Sequence, residues 1–190
     1  MTAALSDPPP AGGGWTTDDL DAFPEDGVRR ELLDGVLHVS PSPSRIHQVL
    51  AARLLVALEE TCPDHLHVSQ ANDVQINPRR LFIPDLLVIT DEAARRPVGK
   101  YEPAEVLLAV EIVSPSSQSM DRVMKPTLYA KAGIPSYWMI EIDGGLTVHT
   151  YQLEREDEVY QPSGTFTDAI KVDQPWQIDL PMKRLRPRYL

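Results

Sequence analysis

Two apolar runs of strand length, each broken by one carboxylate, limit how this chain can fold. Residues 83–90 read IPDLLVIT, with Asp85 at the start, and residues 107–113 read LLAVEIV, with Glu111 inside. Each run has about the four to eight residues of a fully buried strand. A carboxylate in such a strand is costly to bury unless a metal, a cation or hydrogen bonds compensate it. A lysine, Lys125, follows in the segment DRVMKPTLYAKAG.

The rest of the chain supplies elements that would surround these strands. Residues 1–14, MTAALSDPPPAGGG, have little to bury and read as a flexible tail, leaving residues 15–190 as a single domain. Thr16 or Thr17 is placed to cap a short helix, TTDDLDAF. Asp34-Gly35 lies between two short apolar runs in RRELLDGVLHVS, a hairpin signal, and Glu31 sits on the first arm. In RIHQVLAARLLVALEE, Ile46, Val49, Leu50, Leu54, Leu55 and Leu58 recur at helical spacing, with Pro63 beyond the end and His47 in the first turn.

Residues 65–77, HLHVSQANDVQIN, alternate apolar and polar residues in two parts, as strands with one wet face do. The polar connection DEAARRPVGKYEPAE then carries Arg95, Arg96 and Lys100, and reads as a loop that is either disordered or closes over a substrate. After Glu111 the segment SPSSQS turns the chain into a helix. Pro126 is tolerable only in a first turn, so the helix is expected to start near Val123, with Lys125 at its mouth and Gly133 beyond its end. SYWMIEID and LTVHTYQL form a hairpin across Gly144-Gly145, and VYQPSG and WQIDLPM read as edge strands. The pattern is α+β: a mixed sheet with one long helix before its centre and a shorter one after it.

Composition narrows the chemistry. One cysteine, Cys62, excludes an internal disulfide and a cysteine-based zinc cluster. No run of about 18 apolar residues and no signal-peptide pattern is present, so a cytoplasmic protein without a membrane span is expected. The net charge of −10 argues against a broad face for non-specific nucleic-acid binding. It leaves room for a nuclease whose acidic site is neutralised by metal ions.

Cleaving a phosphodiester needs an activated water and stabilisation of charge on the phosphate and the leaving oxygen. One or two Mg²⁺ ions held by carboxylates do both. Aspartate on one strand and glutamate on the next meet that need if the strands are adjacent, and a nearby lysine orients or helps deprotonate the water. Each residue also has a plainer reading. Asp85 suits a turn after Pro84, Lys125 a solvated helix surface, Glu31 an exposed strand position, and His47 a surface histidine. Tyr129, one helical turn beyond Lys125, packs or supports that lysine. Tyr137-Trp138 reads as core, and the basic end KRLRPRYL as a solvated tail. Glu111 has the weakest plain reading, being enclosed by Leu107, Leu108, Ala109, Val110, Ile112 and Val113.

The ordered blocks RRELLDGVLHVSPSPSRIHQ, IPDLLVI, VEIVSPSS and DRVMKPTLYAKAGIPSYWMIEID resemble the Uma-type "putative restriction endonuclease" family of the PD-(D/E)xK nuclease superfamily, over about residues 17–180. The resemblance implies a restriction-endonuclease-like core, a mixed sheet flanked by helices, and Mg²⁺- or Mn²⁺-dependent DNA cleavage. By position, Asp85 matches the PD aspartate and Glu111 the acid of the (D/E)xK strand. Glu31 matches an early glutamate that acts as an accessory ligand, and His47 the histidine of the first long helix. Where the superfamily has its lysine stands Val113, and Lys125 on the following helix is the replacement. The superfamily also suggests a homodimer, since two sites cut both strands together. The expected function is therefore a Mg²⁺-dependent DNA endonuclease. The alternatives are a non-catalytic nucleic-acid-binding or regulatory protein on the same scaffold, and a protein-interaction module whose carboxylates are structural.

Overall fold

The computed structural model describes residues 13–24, 26–97, 99–114 and 118–187. Most of the expected tail (residues 1–12), the middle of the SPSSQS turn (115–117) and the last three residues of the basic C-terminus lie outside the described residues. Within them, Gly13 is tied down, its carbonyl accepting from Arg79 at 2.6 Å.

Helix α1 (Thr17–Asp21) is capped by Thr16, which exchanges hydrogen bonds with Asp19 in a capping box. Strands β1 (Arg30–Leu33) and β2 (Val36–Val39) form the expected hairpin, with Asp34 and Gly35 both at positive φ (52° and 80°). Those two angles make the tight two-residue turn that Asp-Gly favours. Helix α2 (Arg45–Glu59), capped by Ser44, buries Leu50, Leu54 and Leu58 along one stripe.

Then come β3 (Leu66–Gln70), β4 (Asp73–Asn77), β5 (Arg80–Phe82), β6 (Leu86–Thr90), α3 (Asp91–Ala94), β7 (Lys100–Tyr101) and β8 (Val106–Ile112). A π-helical turn, Met120–Met124, runs into α4 (Lys125–Lys131). Strands β9 (Ser136–Glu141), β10 (Thr147–Glu154), β11 (Val159–Phe166), β12 (Ala169–Val172) and β13 (Ile178–Pro181) close the described chain.

The central sheet has six strands in the order β11-β10-β9-β8-β6-β3 and is mixed: β8 and β9 run parallel, joined by a crossover through α4, and the other pairs are antiparallel. Strand alternation divides its residues between two cores. Leu86, Val88, Leu108, Val110, Ile112, Trp138 and Ile140 pack with α2 and the β12-β13 hairpin. Leu87, Ile89, Ala109, Val113, Tyr137 and Met139 pack with Leu128 and Tyr129 of α4 and with Val74 and Phe82 of a second, five-stranded sheet in the order β2-β1-β5-β4-β7. Asp85 and Glu111 share the parity of this second set.

The α+β architecture with a mixed sheet is as expected, and Tyr137 and Trp138 are core. Four details differ. The alternating residues 65–77 divide between two sheets, because Ala71 at φ 54° turns the chain between β3 and β4. Among the described residues, the 91–105 connection holds α3 and β7, and its Arg95, Arg96 and Lys100 pair with Asp91, Glu105 and Asp21. WQIDLPM pairs with β12 in a separate hairpin instead of extending a sheet. Helical backbone begins before Val123, because the π-helical turn precedes Pro126 and leaves that proline in the first turn of α4. At the other end Gly133, at φ 85°, and Ile134 donate to the Ala130 and Tyr129 carbonyls, the hydrogen-bonded helix stop that glycine permits.

Asp73, at the start of β4, gives one test of this packing. Burial pushes its carboxyl up to about 6, against the opposing pull of Lys100. The folded chain therefore holds a proton that the unfolded chain releases between about 3.8 and about 6, and stability falls as pH rises through that window. Asp73→Asn is expected to stabilise the protein by ~1 kcal/mol at neutral pH, allowing for screening of a partly exposed group, and to do little at pH 4. Urea unfolding at both pH values measures the difference; equal stability of the two proteins at neutral pH would exclude burial as the cause.

Candidate active site

β6 and β8 are antiparallel neighbours with Leu86 opposite Val110 and Leu87 opposite Ala109. One step along that register sets Asp85 opposite Glu111, and the Asp85 N–H donates to the Val110 carbonyl at 3.0 Å. Like charges directly opposite on adjacent strands repel. Here both are almost inaccessible, Asp85 at 5% exposure and Glu111 at 1%. The pair is stable only because other elements compensate it.

Asp85 is compensated from three sides. The Arg29 guanidinium donates to Oδ1 at 2.9 Å, His47 Nε2 lies 3.0 Å from Oδ2, and the Ile112 N–H donates to Oδ2 at 2.8 Å. Arg29 is itself held by a second hydrogen bond, to the Ile83 carbonyl. Burial alone would raise the Asp85 carboxyl; the His47 hydrogen bond and the Arg29 charge outweigh it and bring the group down to about 2. An ionised carboxylate only accepts, so the proton of the His47–Asp85 contact sits on Nε2.

Glu111 shares its compensation. Lys125 Nζ lies 3.0 Å from Glu111 Oε1, 2.9 Å from Glu31 Oε1 and 3.5 Å from Asp121 Oδ1. Tyr129 donates its hydroxyl to Glu111 Oε1 at 2.9 Å, and the Ile83 N–H donates to Glu31 Oε1 at 2.9 Å. Burial pushes Glu111 well above the usual carboxylate range; Lys125 offsets this only in part, while Asp121, Asp85 and Glu31 add to it. For Glu31 the balance tips the other way, because Lys125 and Arg29 together outweigh burial. The repulsion within the cluster thus falls on Glu111, the acid whose proton affinity is raised. Burial would lower the Lys125 ammonium, but Glu111, Glu31 and Asp121 raise it instead, so it stays charged.

The local fold explains each placement. Lys125 and Tyr129 are four residues apart on α4, and Asp121 lies four residues before Lys125, so all three share one helical face. Ser44 caps α2 by accepting from the His47 N–H at 3.3 Å, which places His47 in the first turn. Arg29 and Glu31, two apart in extended backbone, point the same way. The result is a cavity of about 420 Å³ with Asp85, Glu111, Glu31, Asp121, Arg29 and Lys125 among its lining residues.

All six sequence-expected residues meet at this site, and Lys125, Glu31 and His47 are buried rather than exposed as their plainer readings had them. His47 is buried against Asp85 rather than being a surface histidine. Tyr129 packs in the core against Phe82 and Tyr137, as expected, and donates its hydroxyl to Glu111, which Lys125 also meets. Arg29 and Asp121 were not anticipated. Asp121 had a readable signal, its four-residue spacing from Lys125; Arg29 had only its two-residue spacing from Glu31.

Among the described residues no group of three or more His, Cys, Asp or Glu side chains forms a ready-made metal cage. The donor chemistry still fits Mg²⁺ or Mn²⁺, which take hard oxygen ligands, and Mg²⁺ commonly uses only one or two carboxylates beside water and substrate oxygens. Four carboxylates face two permanent cations, Arg29 and Lys125, so the cluster has room for further positive charge.

Lys125→Met tests the electrostatics without reference to activity. Removing one partner of a buried ion cluster is expected to cost roughly 3–5 kcal/mol at neutral pH. The loss should shrink toward pH 5, as the stranded acids take up protons in the folded state and stability rises with falling pH. Chemical denaturation across that range measures it. A pH-independent loss would point to lost packing instead.

The comparisons with known proteins bear on the family and the fold. Residues 17–182 match the Uma2 family, described as "Putative restriction endonuclease". No curated protein matches significantly. The crystal structure of "a putative nuclease belonging to DUF820" from Anabaena variabilis ATCC 29413 has a TM-score of 0.70 to this chain at 20% identity, covering 90% of this chain and 96% of that one, which establishes a shared fold. With the family match spanning nearly all of the described chain, the protein belongs to the Uma2 family of restriction-endonuclease-type enzymes.

Proposed function

We propose that this chain is a Mg²⁺- or Mn²⁺-dependent DNA endonuclease in which Asp85 and Glu111 are the metal ligands. The observation that carries the reading is the facing pair Asp85 and Glu111, on adjoining strands at the wall of one cavity, with Lys125 Nζ 3.0 Å from Glu111. A divalent ion bound there would activate water and neutralise charge on the phosphate. The chain's own groups then have distinct tasks. Asp85 is held ionised and oriented by Arg29, His47 and the Ile112 N–H. Glu111 is oriented by the Tyr129 hydroxyl, and its raised proton affinity makes it the acid that gains most from a nearby cation. Lys125 stays an ammonium, so it acts as a donor that holds water and offsets phosphate charge, not as the base that takes the proton. Glu31 and Asp121 keep that ammonium in place.

The superfamily's homodimer would serve to cut both strands of a duplex together; cutting one strand requires only one such site. The same ion pairs support a second reading. Lys125 is engaged by three carboxylates at once, as in a structural network, so a nucleic-acid-binding or regulatory protein that retains the scaffold without cleaving is the alternative.

Thermal unfolding with Mg²⁺ or Mn²⁺, on wild type and Glu111→Ala, separates these. Wild type is expected to gain roughly 2.7 kcal/mol at a hundredfold excess of metal over its dissociation constant, and the mutant to gain little. Lys125→Ala should keep a metal response and lose about 10²- to 10⁴-fold in DNA cleavage. Metal binding with no cleavage by wild type would favour the regulatory reading. Identical curves for wild type and Glu111→Ala would remove Glu111 from the metal site.

A further inference from the structure

Resting on the nuclease reading above, we propose that the cavity over Asp85 and Glu111 admits an unpaired nucleotide of a DNA strand and excludes continuous duplex. The acids that would meet the phosphate are not on an open face. Glu111, Asp121, Lys125, Asp85 and Glu31 are all at most 6% exposed, and they line a cavity whose wall includes the exposed proline-rich segment 41–44 together with Met120 and Ile142. A phosphate in duplex is carried on a cylinder with a persistence length of about 150 base pairs, so bringing it into a recess requires deforming the duplex. An unpaired or extruded nucleotide rotates about its own backbone and enters a pocket alone. At about 420 Å³ the recess falls in the size class that takes one small ligand, roughly 300–1,000 Å³.

Charge points the same way. Five carboxylates, those of Glu31, Asp85, Glu111, Asp121 and Asp143, line the cavity against the two permanent cations Arg29 and Lys125. Outside it, Arg30, Arg80, Arg95, Arg96, Lys100, Arg122, Lys171 and Arg184 are each paired with an acid of the same chain. With Arg29 and Lys125, ten of the chain's 18 Lys and Arg residues lie beside an acid of the same chain. Duplex binding depends on neutralising many phosphates on both strands, and the chain's net charge of −10 opposes that. One inserted nucleotide brings one or two phosphates. The apolar and small groups of the wall, Pro41, Pro43, Ile46, Met120 and Ile142, offer its base and sugar contacts that need no cation.

The test uses fluorescein-labelled oligo(dT), a blunt duplex of equal length and the same duplex with a single-stranded extension. Binding is followed by anisotropy with Ca²⁺ in place of Mg²⁺, and cleavage with Mg²⁺ or Mn²⁺. Ser42→Trp, at an exposed position on the cavity wall, narrows the entrance without touching the acids. Oligo(dT) and the extension are expected to bind about tenfold or more tighter than blunt duplex, to be cut first, and to lose binding in Ser42→Trp while the metal-dependent thermal shift persists. Blunt duplex bound and cut as well as single strand would overturn the inference and leave the nuclease reading standing. Failure of every oligonucleotide to bind, or single-strand binding indifferent to Ser42→Trp, would also overturn it. Single-strand binding that Ser42→Trp abolishes, with no substrate ever cut, would support strand entry and remove the nuclease reading.

Discussion

The fold depends on neutralising two carboxylates that face each other across β6 and β8. Neither strand can do this itself, since their other residues are apolar and buried. The compensation is imported from separate elements: Arg29 from ahead of β1, His47 from α2, and Lys125 with Tyr129 from α4. That requirement ties the layers together. The parallel β8–β9 crossover sets α4 on the face where Glu111 points, and the β1-β2 hairpin brings Glu31 to the far side of Lys125. Exposed ion pairs elsewhere in the chain contribute little each, because water screens them and side-chain entropy opposes them. The buried set is different in kind: loss of one member leaves its partners charged in a dry site.

Compensation is also incomplete, and unevenly so. Asp85 ends up below its ordinary range and Glu111 well above it, although they are opposite each other. Asp85 has a hydrogen bond to every side that matters and a guanidinium of its own. Glu111 must share one ammonium with Glu31 and Asp121, has the Tyr129 hydroxyl as a neutral donor, and meets the charges of Asp121, Asp85 and Glu31. Carboxylates driven apart in this way occur both at working sites and in buried ion-pair networks. The cluster satisfies one acid firmly and leaves the other short of positive charge.

Much of this was legible in the sequence because it is local. The helical stripe of α2, the two strand-length runs, the Asp34-Gly35 turn and the Gly133 stop each follow from residues within one turn or one strand. What was not legible depends on tertiary contacts. The split of residues 65–77 between two sheets needs the left-handed Ala71 and partners far away in sequence. Strand β5 is too short to announce itself. His47 lies in the first turn of an amphipathic helix, where a surface role is ordinary; only the end of β6 arriving beside it makes it a partner of Asp85. Arg29 is one of two adjacent arginines, and nothing local distinguishes it from Arg30, which pairs with the exposed Asp26 instead.

In the proposed site the ammonium comes from α4 and not from β8. Val113 has the same strand parity as Glu111, so a lysine there would extend over the same face. In this chain that face is already packed: Val113 is buried in the core that includes Leu128, Tyr129 and Met139. An ammonium arriving from α4 reaches the carboxylates across the cavity without displacing that core, and both Val113 and Lys125 line it. The helix also allows what a strand position does not. Asp121 and Tyr129, one turn to either side of Lys125, brace the lysine and its glutamate from the same face. On α4 the lysine thus has supporting residues of its own, whatever chemistry the proposed site performs.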